Sequence, residues 1–181
     1  MRIAALLAAV LVASLGVPGS APASVEARDL VRPHAFGAFP LYDAGDQVDG
    51  LPLTAVLRRD GTAEFVSFVY GDCAARDDEG CAPPVEVQVW PACRRNLDLY
   101  ASGRPGTPVP ERTTARGVPA AFLDDGTRLE LQTGRSTVVV FADSRARVLR
   151  VVSALRPVGE RALSGPLPPP APGAVQGTLP C

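Results

Sequence analysis

Val118–Arg156 reads VPAAFLDDGTRLELQTGRSTVVVFADSRARVLRVVSALR, and this stretch decides the fold. Val118–Leu123 is a strand-like run, and Asp125-Gly126 is a tight-turn pair. Arg128–Thr133 (RLELQT) alternates apolar and polar residues, which is the period of a half-buried strand. Gly134-Arg135 turns the chain again into Thr137–Ala142 (TVVVFA). That run is apolar on both faces, as a central, covered strand requires. Asp143 or Ser144 then offers a helix cap. In Ser144–Arg156, Val148, Val151, Val152 and Leu155 recur at helical spacing, so one face of the helix lies on the sheet. Pro157 ends it.

Upstream, Leu53–Arg59 and Glu64–Gly71 flank Asp60-Gly61 and predict a hairpin. Cys73–Pro84 is a loop carrying Arg76, Asp77, Asp78, Glu79 and Gly80. In Val85–Trp90 (VEVQVW), Val85, Val87 and Val89 face one way and Glu86, Gln88 and Trp90 the other. Residues 91–116 read as loop, with a short helical turn near Asn96–Tyr100. Residues 24–50 read as irregular, broken by Pro33, Gly37, Pro40, Gly45 and Gly50. Asp-Gly-Thr occurs at 60–62 and 125–127 in unmatched flanks, so it is one turn chemistry used twice and not a repeat. The expected architecture is α+β: an antiparallel sheet of five to six strands with one C-terminal helix packed on a face, two disulfides and an extended proline-rich tail. Residues 24–160 form the single domain and residues 161–181 the tail.

The ends of the chain point to export. Arg2 precedes an apolar run from Ile3 to Val17, and Ala21-Pro22-Ala23 supplies an A-x-A-like cleavage site. That order is the secretory pattern, so residues 1–23 are expected to be a signal peptide. As a helix the run spans about 22 Å, short of a hydrocarbon core of about 30 Å. No transmembrane segment is expected in the mature chain, and the expected location is secreted or extracytoplasmic. Cys73, Cys81, Cys93 and Cys181 are an even set, read in an exported chain as two disulfides. No C-x-x-C pair suggests zinc. Four cysteines allow three pairings. If Glu64–Gly71 and Val85–Trp90 are antiparallel neighbours, Cys73 and Cys81 fall at one end of the sheet and Cys93 at the other. The preferred pairing is therefore Cys73–Cys81 and Cys93–Cys181, the second tying down a tail kept extended by Pro166, Pro168, Pro169, Pro170 and Pro172.

Composition excludes more than it assigns. The 181 residues carry net charge −1, with no basic excess of the kind a nucleic-acid binder shows. All 18 basic residues are arginine, which closes off Schiff-base and P-loop lysine chemistry. The single histidine, His34, sits in a Pro- and Gly-flanked loop, and no G-x-S-x-G elbow exists. Glu86 and Glu130 lie on strands and are expected to face solvent by alternation. Asp43, Asp46 and Asp49 are spaced every third residue, unlike a calcium loop. Arg145, Arg147, Arg150 and Arg156 read as a solvated outer helix face. No catalytic residue, metal ligand or cofactor site is assigned. Among the aromatics, Tyr42, Tyr70 and Trp90 mark the candidate binding surface, although aromatics at strand spacing more often pack.

Gly50–Thr54 (GLPLT), Phe68–Cys73 (FVYGDC), Cys81–Trp90 (CAPPVEVQVW) and Gly117–Ala121 (GVPAA) resemble a group of exported proteins of high-GC actinobacteria, over about residues 38–157. The all-arginine, Ala- and Pro-rich composition fits such a genome. The resemblance implies export and brings no activity or functional residue with it. The strand-strand-strand-helix unit at 117–156 is similar in architecture to extracytoplasmic sensor or lipoprotein-type domains. The expected function is an exported, disulfide-stabilised, non-catalytic binding or envelope-associated module. Its partner would be an envelope component or another exported protein, not nucleic acid. Two alternatives stand beside it. One is an accessory or inhibitory protein acting on another exported protein. The other is a secreted hydrolase using dispersed carboxylates, which needs two acids converging in a cleft.

Overall fold

The computed structural model describes residues 33–59, 64–72, 82–100, 109–161 and 165–181. The segment 1–23, Cys73 and Cys81 lie outside the described residues. Among the described residues ten strands form: β1 (Tyr42–Asp43), β2 (Gln47–Val48), β3 (Leu51–Arg59), β4 (Phe65–Tyr70), β5 (Val85–Pro91), β6 (Glu111–Ala115), β7 (Val118–Leu123), β8 (Arg128–Thr133), β9 (Ser136–Ala142) and β10 (Arg156–Pro157). The α-helices among the described residues are α1 (Leu97–Tyr100) and α2 (Arg145–Ala154). Strands β2 to β9 make one eight-stranded sheet in the order β2-β3-β4-β5-β9-β8-β7-β6, while β1 and β10 pair separately. Among the described residues every strand pairing in the large sheet is antiparallel.

The apolar β9 lies between β5 and β8, at the centre of the sheet. Val138, Val139 and Val140 all have zero exposure, so both of its faces are covered. On the first face Val85, Val87, Val89, Phe68, Leu129, Leu131, Val138 and Val140 form one core with Val148, Val151, Val152 and Leu155 of α2. Ser144 caps α2, its hydroxyl accepting from the Arg147 N–H. At the other end the Arg116 guanidinium donates to the carbonyls of Ser153 and Leu155 at 2.9 Å each. These are carbonyls a helix end leaves without intrahelical partners.

The sheet is larger than the five to six strands expected. Residues 91–116, read as loop, contain β6. Its sequence, ERTTA, shows no apolar alternation, because an edge strand keeps Glu111, Arg112 and Thr114 in solvent. The irregular 24–50 region contributes β1 and β2, of two residues each and too short to carry a period.

Residues 165–181 cross the β8–β9 turn. The Leu167 N–H donates to the Arg116 carbonyl at 2.8 Å, and the Ala171 N–H to the Gly134 carbonyl at 2.7 Å. Leu167 and Ala174 are buried. Cys181 is bonded to Cys93 across a sequence separation of 88. No described helix is long and apolar enough to cross a membrane.

Candidate functional site

The second face of the sheet is polar, and the register says why its side chains meet. Phe65 of β4 falls opposite Trp90 of β5, and their rings stack at 4.2 Å. Ser67 pairs with Gln88, Gln88 with Val139 and Val139 with Glu130, so these four side chains lie in one row across the sheet. Glu86, Gln88 and Trp90 occupy alternate positions of β5 and point to the same face. The Trp90 indole N–H donates to Gln88 Oε1 at 3.1 Å. Gln88 Nε2 donates to Glu86 Oε1 at 2.9 Å. The Ser67 hydroxyl donates to the same carboxylate oxygen. The chain Trp90–Gln88–Glu86–Ser67 therefore fixes its own rotamers. Glu86, Gln88, Trp90, Phe65 and Phe141 are all half-buried.

Beside this row the face closes over an ion pair. Glu130 has zero exposure, which corrects the expectation that it faces solvent. The Arg95 guanidinium reaches both of its oxygens, at 3.1 Å and 2.5 Å. The Arg95 cation lies 4.9 Å from the Trp90 ring centroid and 4.2 Å from that of Tyr100. Leu97 and Ala121 are buried alongside, with Val175 packed against them. Alternation makes Glu130 polar-facing, but it cannot show that residues 95–100 and 174–175 cover that part of the face.

The aromatics singled out in the sequence are not brought together. Tyr42 and Tyr70 belong to the core of the first face, at 3% and 0% exposure. The Tyr70 hydroxyl accepts from the Ala44 N–H at 2.9 Å, and burial pushes its phenol well above the ordinary value. The Tyr42 and Thr133 hydroxyls lie 3.3 Å apart, and burial also raises Tyr42. Trp90 is half-buried on the opposite face. Of the four cysteines, Cys93 and Cys181 are joined, as the strand-direction argument expects. Cys73 and Cys81, and any bridge between them, fall outside the described residues.

The acids are held by arginines. Asp49 accepts from Arg147 Nε at 2.8 Å and Arg150 Nε at 2.7 Å, and the hydrogen bonds from Arg150 and Arg147 lower its carboxyl to about 2. Glu111 accepts from Arg145 at 2.6 Å through each oxygen, which lowers its carboxyl. Asp43 receives Arg156 Nε at 3.3 Å. The arginines read as a solvated helix face are thus mostly neutralised by acids from the Asp43–Asp49 loop, β6 and Asp143. His34 is exposed on the single turn Pro33–Ala35. Among the described residues no three His, Cys, Asp or Glu side chains are grouped to hold a metal. A further cleft of about 270 Å³ lies between α2 and the β6–β7 hairpin, lined by Thr113, Phe122, Leu129, Leu149 and Val152 among others.

The sequence matches no family model, and comparison with curated proteins and with solved structures gives no match.

Proposed function

We propose that the protein is an exported, non-catalytic binding module of the cell envelope, and that it binds through the second sheet face along Glu86, Gln88 and Trp90. The observation that carries this reading is the self-fixed chain of half-buried Glu86, Gln88 and Trp90, anchored by the buried Ser67. Polar groups already held in position lose little freedom when a ligand arrives. An aromatic edge beside an amide and a carboxylate suits an envelope component rich in hydroxyl and amide groups. Asp49 and Glu111 are not placed as general acids. A general acid at neutral pH needs its carboxyl raised, whereas Asp49 and Glu111 are lowered by their arginine partners. Export belongs to the same proposal, with residues 1–23 removed and a Cys73–Cys81 bridge beside Cys93–Cys181, and non-reducing peptide mapping checks that bridge.

Trp90 is the only tryptophan, so its fluorescence reads this surface directly. The oxidised protein is titrated with solubilised envelope polysaccharide and with vesicles of envelope lipid. A saturable emission change that is lost in Gln88→Ala supports the proposal. Saturable binding that Glu86→Ala and Gln88→Ala both leave intact overturns it, as does an emission unchanged by either preparation.

A further inference from the structure

The β6 edge offers hydrogen bonds that the sheet does not use. Arg116 and Gly117 are the two loop residues between β6 and β7, at φ 50° and 79°. Two such residues make a type I′ hairpin turn, whose flanking residues exchange both backbone hydrogen bonds. Ala115 and Val118 are that pair, so Thr113 with Ala120 and Glu111 with Phe122 are hydrogen-bonded pairs too. The alternate residues Arg112 and Thr114 then point their N–H and C=O away from β7. Pro119 agrees with this phase: it stands opposite Thr114, where β7 needs no N–H toward β6. Among the described residues β6 pairs only with β7. Glu111, Arg112 and Thr114 are exposed.

We propose that this edge pairs with the same edge of a second copy, β6 antiparallel to β6, about a two-fold axis through Thr113. The commitment to a second copy comes from the self-complementary register of the outward donors and acceptors. With Thr113 on the axis, Arg112 pairs with the second copy's Thr114 and Thr114 with its Arg112, so the outward donors and acceptors of both strands are satisfied. Glu111 then stands opposite the second copy's Ala115. No like charges stand directly opposite one another. A shift of two residues one way sets Arg112 against Arg112 and gives Thr114 a proline, Pro110, as partner. The opposite shift sets Arg112 against Arg116. Arg112 is itself paired with Asp98 at 3.0 Å, so geometry decides: Pro110 has no N–H to give in the first case, and in the second Arg116 stands in the turn at φ 50° with its carbonyl already accepting from the Leu167 N–H, so one register is selected.

Apolar surface lies at the same place. Val109, two residues before β6, is 90% exposed, and Leu149 of α2, lining the cleft beside Thr113, is 47% exposed. At the opposite end of the sheet β2 pairs with only Leu51 and Pro52 of β3. A two-fold contact is closed, so it ends at a dimer. This proposal is independent of the binding surface around Trp90, which is on another part of the sheet.

Light scattering on the oxidised full chain over a broad concentration range tests it, together with three variants. Thr114→Pro removes an outward N–H and leaves the bonds to β7 in place. Thr113→Asp puts two carboxylates at the axis. Each should raise the dimer dissociation constant at least about tenfold while circular dichroism stays unchanged. Thr113→Cys places two thiols across a pair whose Cα atoms are about 4.5 Å apart, within disulfide reach. It should yield a dimer linked Cys to Cys at position 113, found by peptide mapping. A wild-type monomer at every concentration overturns the proposal and leaves the edge to a strand from a different protein. A dimer that forms no link at position 113, or that tolerates both Thr114→Pro and Thr113→Asp, also overturns it.

Discussion

Glu130 has no solvent contact, and Arg95 donates to both of its oxygens. Removing one member of such a pair leaves the other buried without compensation. Glu130→Ala should therefore lower unfolding stability by about 3–5 kcal/mol, measured by urea denaturation. Replacing both members by apolar residues of similar volume should cost much less. Asp49 shows a second residue-scale effect. Its carboxyl is held at about 2, below its ordinary 3.8, by Arg150 and Arg147. A lowered folded-state value contributes stability that is fully present above the ordinary value and is lost as pH falls toward the folded one. The stability difference between wild type and Asp49→Asn should hold above about pH 5 and vanish by about pH 1. Asparagine keeps the backbone at φ 50°, which it tolerates. A difference that persists at the acid end would show that the two arginines are not its source. Neither partnership is visible in the sequence, since Asp49 and Arg150 are far apart in the chain and nothing local pairs them.

At the scale of elements, Val85–Trp90, Arg128–Thr133 and the helix that follows β9 read directly from their periods. Their alternation is the imprint of a face that must be dry. β6 has no such imprint, because an edge strand of threonines and charges is half in water on both faces. Arg116 carries two elements at once, closing the carbonyl end of α2 and donating from Nε to the Gly165 carbonyl at 2.9 Å. Arg116→Ala should cost about 1–3 kcal/mol and speed amide exchange in the last turn of α2. Equal exchange in variant and wild type would assign that helix end to packing alone. Gly117 allows a separate check. Its φ of 79° and the approach of Pro166 to within 2.9 Å of a Cβ placed there both exclude a side chain. Gly117→Ala should destabilise the β6–β7 hairpin and loosen the chain from Gly165 onward, seen as faster exchange at the Leu167 N–H.

At the scale of the molecule, Cys93–Cys181 spans 88 residues of sequence and fastens the chain's final segment over the β8–β9 turn. On the chain-entropy account a loop of that length contributes about 4–5 kcal/mol. Replacing both cysteines by alanine should lower stability by a large part of that amount in denaturant titrations. The bonds from Leu167, Ala171 and Gln132 that hold the tail in the oxidised chain should survive at low denaturant. The strands with a clear period of two, the helix and its cap, and a place for Cys181 are legible in the residues alone, because each rests on spacing within a short window. The size of the sheet, which aromatics are core, the burial of Glu130 and the partners of the arginines emerge from the packed chain. Those depend on which distant segments cover a face, and coverage is set by the packing of the whole chain.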